Sequence, residues 1–145
     1  MKTAVLKQSL PHFGLAWIML SLALGVHVLD EALNDFLSFY NPTALAIREK
    51  LPFLPLPVFT FDVWLTGLIL AVTILLLLAP LAFRGVKWVR LVSYPFAILM
   101  LLNGLAHITV SLYQSRLMPG VYSSPLLLAA AVYLLWSVRH YKSES

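Results

Sequence analysis

Residues 25–35 read GVHVLDEALND, one histidine, an asparagine and three acids with no basic residue among them, directly after the apolar run FGLAWIMLSLAL. Helix neighbours lie three and four residues apart, so His27, Asp30, Glu31 and Asn34 would share one face. The segment NGLAH places Asn103 and His107 one turn apart in the same way, and DVWLT does so for Asp62 and Thr66. Two imidazoles and up to three carboxylates are a suitable shell for a divalent metal such as zinc, iron or manganese. His27, Glu31 and His107 are the expected metal ligands. Asp30 and Asp62 are expected as further ligands or as acid–base catalytic groups, and Asn103 as a substrate contact. Di-iron bundles draw a Glu-x-x-His pair from each of two helices and add further glutamates. Here Asn103 stands where a second carboxylate would be, so one ion is expected, not two.

The elements that must position these groups are written for lipid. The 145 residues are 61% hydrophobic and 11% charged, with a mean hydropathy of +0.88. Soluble domains carry roughly 25% charged residues, which argues against that class. The net charge of +4 does not point to nucleic acid, because the basic residues stand singly at the ends of apolar runs, as membrane flanks do. The absence of cysteine excludes disulfides, thiol catalysis and thiolate ligands. Lysines precede the first apolar stretch as in a signal peptide, but no small-residue cleavage site follows. That stretch reads as a retained span.

A hydrocarbon core about 30 Å thick needs about 20 apolar helical residues. Four spans are expected, at about residues 13–34, 58–83, 91–113 and 124–138, forming an all-α, integral membrane four-helix bundle in a single domain. Backbone groups in lipid must bond within their own segment, which makes the spans helical. Between the first two, residues 41–57 are expected at the interface, as a short helix capped at Asn41-Pro42 followed by an extended PFLPLP strap. The pair Ser123-Ser124 ahead of Pro125 reads as a helix cap, and Pro119-Gly120 as a turn.

Lys2, Lys7, Arg84, Lys87, Arg90, Arg139 and Lys142 fall on one side of this arrangement, against Arg48, Lys50 and Arg116 on the other. The positive-inside rule then puts both termini in the cytoplasm, in a cell or inner membrane. His27 and Glu31, His107, and Asp62 would all lie near the outer ends of their spans. Ionisable side chains facing lipid cost several kcal/mol, so they turn toward one another or toward a wet cavity. One polar pocket in the outer half of the bundle is the expectation, with Tyr40, Tyr113 and Tyr122 at its rim.

The stretch His27-Val28-Leu29-Asp30-Glu31 resembles the signature of the HXXEE family of small integral membrane proteins, with Asp30 in place of the first glutamate. The NGLAH and MPG segments look like features of the same family, and the resemblance covers about residues 15–136. It implies a membrane protein and supplies no reaction. The residues leave several readings open. One is a metal-dependent enzyme acting on a lipid-like or small substrate. A second is a metal-free acid–base enzyme on a lipid or sterol-like substrate, its His-x-x-x-Glu being similar to that of EXPERA-type sterol isomerases. A third is a non-catalytic membrane subunit whose polar groups bond helix to helix. A proton path is disfavoured, since Ser21 and Thr73 are the best stepping stones in the opposite half. The partners expected are the lipid bilayer and a lipid-like ligand.

Overall fold

The computed structural model describes residues 2–141, with side chains from His12 onward; Lys142, counted above on the basic side, lies outside them. Every regular element among the described residues is a helix: α1 (Lys2–Leu33), α2 (Phe36–Lys50), α3 (Phe61–Leu77), α4 (Ala79–Phe83), α5 (Lys87–Tyr113) and α6 (Ser124–Arg139). Three apolar helical stretches are long enough to cross a membrane: His12–Leu33, Phe61–Phe83 and Lys87–Tyr113. The second of these is α3 and α4 together. Pro80 lacks an amide hydrogen and crowds the preceding turn, and the ladder breaks at Leu78 just before it.

The helix α6 is shorter than the fourth span read from the sequence requires. Its 16 residues rise about 24 Å, less than a full hydrocarbon core. It compensates by being central. Leu127, Ala130, Ala131 and Leu134 are at most 2% exposed, and α6 packs against both α1 and α5. On its other side α1 packs against α3 and α4. Alanines at 16, 82, 97, 130 and 131 let these backbones approach, and Phe13, Trp17, Leu20, Leu127 and Leu134 fill the space between them. The Phe13 and Tyr141 rings meet at 5.9 Å, so the first turn of the apolar stretch of α1 and the end of α6 lie together.

Outward, α1 shows Leu15, Met19, Leu22, Val26, Leu29 and Leu33, spaced alternately four and three apart as one continuous apolar face.

The connection between α1 and α3 differs from the expected one. The second helix starts at Phe36, five residues before Asn41, because Asp35 adopts the left-handed conformation (φ 56°) and turns the chain there. Asn41 is therefore inside α2, and its carboxamide caps nothing. It clips α2 to the strap instead, donating to Phe59 O at 2.9 Å and accepting from Phe59 N at 3.1 Å. Tyr40 adds a bond from its hydroxyl to Pro57 O at 3.1 Å. Residues 54–60 are non-helical, as the prolines require.

Candidate metal centre

The last two turns of α1 carry His27 and Glu31 on the face that meets α5, where His107 stands one turn after Asn103. All three are buried, at 0%, 5% and 7% exposure. Glu31 Oε1 lies 3.0 Å from His107 Nε2 and 3.5 Å from His27 Nε2. One donor atom from each residue lies within 4.8 Å of the others, a spacing that could hold a metal ion. Ligand distances of about 2.0–2.2 Å imply tetrahedral edges of about 3.3–3.6 Å. The 3.5 Å separation falls within that range, and the 3.0 Å separation is shorter, at hydrogen-bonding distance. The imidazoles meet edge to face, with centroids 4.8 Å apart and planes at 77°.

What surrounds His27 decides which nitrogen faces the group. Ser123 Oγ sits 2.8 Å from His27 Nδ1, 2.7 Å from Asp30 Oδ2 and 3.2 Å from Gly120 O. A serine hydroxyl has one hydrogen, and the shortest contact is to the carboxylate, so that hydrogen goes to Asp30. Ser123 can then only accept from His27. Counted this way, Nδ1 carries the ring hydrogen and Nε2 turns its lone pair toward Glu31 and His107. Metal-binding histidines are commonly held by such a bond on the far nitrogen. Asn103 Nδ2 donates to that lone pair at 3.1 Å, a bond that a metal at Nε2 would displace.

The loop between α5 and α6 fits against the two rings. Ser111 Oγ accepts from Met118 N at 3.0 Å, and Ser124 Oγ donates to Gly120 O at 2.7 Å. Gly120 has φ +84°, and a Cβ there would lie 2.7 Å from His107 Cε1 and Nδ1 and 3.0 Å from His27 Cε1. No side chain fits between this turn and the imidazoles.

Four of the six residues singled out in the sequence therefore stand together. His27, Glu31 and His107 form the group, and Asn103 touches it through His27. Asp30 lies beside it and points away: its Oδ2 accepts from Ser123 N and Oγ, and its Oδ1 accepts from Asn34 Nδ2 at 2.9 Å. Asp62 is not brought in. It is exposed in the first turn of α3, and Phe36 fills the intervening space, its ring 5.9 Å from Trp64 and 5.6 Å from His107. Tyr40 stands near the site as expected, while Tyr113 and Tyr122 are 88% and 64% exposed. Sequence reasoning missed Ser123 and Gly120 as parts of the site. The serine occupies the N-cap position of α6 but makes no cap bond, its hydroxyl being committed to Asp30 and His27.

Against His107 and Asn103 lies a cavity of about 250 Å³, walled by α2, α5 and Met118-Pro119. The chain matches no family model, no curated protein and no solved structure.

Proposed function

We propose that this chain is an integral membrane protein that holds one divalent metal, zinc, iron or manganese, at His27, Glu31 and His107, and uses it on a lipid-like or small substrate. The observation that carries this reading is the convergence of two imidazoles and a carboxylate, buried, from α1 and α5. A carboxylate and two ring-nitrogen lone pairs converging in a buried place are a donor set that a divalent cation takes, and its charge would offset that of the carboxylate. A divalent ion supplies Lewis acidity toward a substrate or water oxygen. The chain's own part is to hold and orient: Glu31 supplies the negative charge, Asp30 and Ser123 fix the His27 ring, and Asn103 faces the cavity.

The membrane part of the proposal rests on the three long apolar stretches and the exposed leucine face of α1. The lysine and arginine distribution orients both termini toward the cytoplasm. The resemblance of HVLDE to the HXXEE signature belongs to the same proposal. Metal analysis of protein purified without added metal is the test. The wild type is expected near one ion per chain, and His27→Ala and His107→Ala near none, with unchanged helical content. Equal trace amounts in all three eliminate the metal.

One observation favours a second reading. At 3.0 Å, His107 and Glu31 are already a hydrogen-bonded pair, sufficient for acid–base chemistry in an apolar cavity without an ion. Activity that survives chelation and disappears in Glu31→Gln selects this alternative.

A further inference from the structure

The cavity beside His107 has a chemistry that narrows what can enter it. At about 30 Å³ per water-sized group, its 250 Å³ hold roughly eight heavy atoms. Phe36, Phe39, Ala106 and Val110 make apolar walls, and no lysine, arginine, aspartate or glutamate lines it. Burying an unpaired ionic head there costs several kcal/mol.

The polar atoms are sharply partitioned. Tyr40 and Thr43 both line the cavity, yet each hydroxyl already donates to a backbone oxygen, Pro57 O at 3.1 Å and Phe39 O at 2.8 Å. Asn103 and His107 remain. Asn103 directs one amide hydrogen to His27 Nε2, which leaves its second amide hydrogen and its carboxamide oxygen for a ligand. An unpaired acceptor in an apolar wall calls for a donor on the ligand. A hydroxyl meets the need: its hydrogen goes to Asn103 Oδ1, and its oxygen lone pairs are left for the His107 side.

We infer that the cavity between α2 and α5 binds an uncharged aliphatic alcohol, with the hydroxyl at Asn103 and His107 and the hydrocarbon between Phe36, Phe39 and Val110. This rests on the metal reading only for the hydroxyl's role as the reacting group; binding itself needs the cavity and Asn103.

The test uses the full chain in nanodiscs of zwitterionic phospholipid and a diazirine-bearing pentanol as photoprobe. Saturable labelling is expected on residues 36–43 and 103–110. Unlabelled pentanol should compete about tenfold better than pentanoate, which is ionised, and than pentyl methyl ether, which cannot donate. Asn103→Leu should erase the advantage over the ether, and Ala106→Phe or Val110→Phe should suppress labelling by filling the space. Equal competition by all three compounds overturns the proposal. So does labelling spread over Leu22 and Leu29 on the outer face of α1, or labelling that persists in both filled variants. Metal is counted in the same samples. Saturable labelling in a chain that never binds metal sinks the metal reading and leaves the pocket standing, whereas bound metal without saturable labelling sinks the pocket alone.

Discussion

The two ends of the packed helices handle buried polar groups in opposite ways. Toward the end where Phe13 meets Tyr141, buried serines bond within their own helix: Ser21 Oγ to Trp17 O at 2.8 Å, Ser93 Oγ to Val89 O at 2.8 Å, and Ser137 Oγ to Leu134 O at 2.9 Å. One bond between side chain and backbone crosses elements there, from Trp17 Nε1 to Leu75 O at 2.7 Å. At the opposite end the bonds cross between elements: His27 to Ser123, Asn103 to His27, Ser123 to Asp30, and Glu31 to His107. One end is joined by shape, the other by directed polar contacts. Shape tolerates small adjustments, whereas a network of directed bonds holds atoms at fixed separations, which is what a site needs. The contrast also bears on transport. Thr73 spends its hydroxyl on Ile69 O and Ser21 on Trp17 O, so neither offers a free step for a proton across the apolar half.

The largest effect expected from breaking the apolar end is on stability. Trp17 is 1% exposed, packs against Phe96 with centroids 5.5 Å apart, and ties α1 to α3 through its indole. Trp17→Ala should cost about 3–5 kcal/mol, read by reversible unfolding in mixed detergent. Metal per folded molecule should stay at the wild-type value, because nothing in the polar end touches Trp17. A loss of metal in the folded fraction would show that the two ends are not separable.

Gly120→Ala should give the complementary result. The backbone at φ +84° costs a side chain about 1–2 kcal/mol. The new methyl must also push at least one imidazole away from the group. Metal affinity should fall by more than about tenfold while helical content is kept, as titration with a competing chelator will show. Wild-type affinity in this variant would mean that the turn does not press on the rings.

Ser123→Ala sharpens the comparison without changing the backbone. It removes the acceptor for His27 Nδ1–H and frees the Asp30 carboxylate, leaving all three donor atoms present. Loss of such an orienting partner typically weakens metal binding about 10–100-fold. Ser123→Thr keeps the hydroxyl and should restore most of it. Nitrogen-15 spectra of the metal-free protein should show His27 carrying its hydrogen on Nδ1 in the wild type and a mixture of tautomers in Ser123→Ala. A mixture already present in the wild type would mean that the Ser123 hydrogen is not committed to Asp30.

These variants also mark where sequence reasoning succeeded and where it stopped. The helices over 13–34, 58–83, 91–113 and 124–138 were readable because apolar length is a local property, and the apolar stretches His12–Leu33, Phe61–Phe83 and Lys87–Tyr113 and the helix Ser124–Arg139 lie within a few residues of them, although α1 itself begins at Lys2. The His27–Glu31 pair and the Asn103–His107 pair were readable because helical spacing fixes which residues share a face. The contacts of Ser123 were not. They link it to residues 93 and 96 positions away, and nothing in YSSP distinguishes a serine that caps its own helix from one that reaches another. The start of α2 was misread because the asparagine-proline pair carries a strong local signal, whereas a left-handed aspartate at 35 carries almost none.

Asp62 is the case in which spacing and depth agreed and the packing still decided otherwise. Its helix meets α1 further along, where Val72 lies against Gly25 and Leu75 O accepts from Trp17, and the Phe36 ring stands between Trp64 and His107, leaving the carboxylate at the surface in the first turn of its helix. A carboxylate there is favoured by the helix dipole alone. Asp62→Asn is therefore expected to have the smallest effect of the four. Metal affinity should be unchanged, and any loss of stability should shrink further as salt is added, since exposed charges are screened. A weakening of metal binding comparable to that of Ser123→Ala would place Asp62 at the ion. It would then require Phe36 to leave its position beside His107, which would open α2 away from the bundle and with it one wall of the cavity.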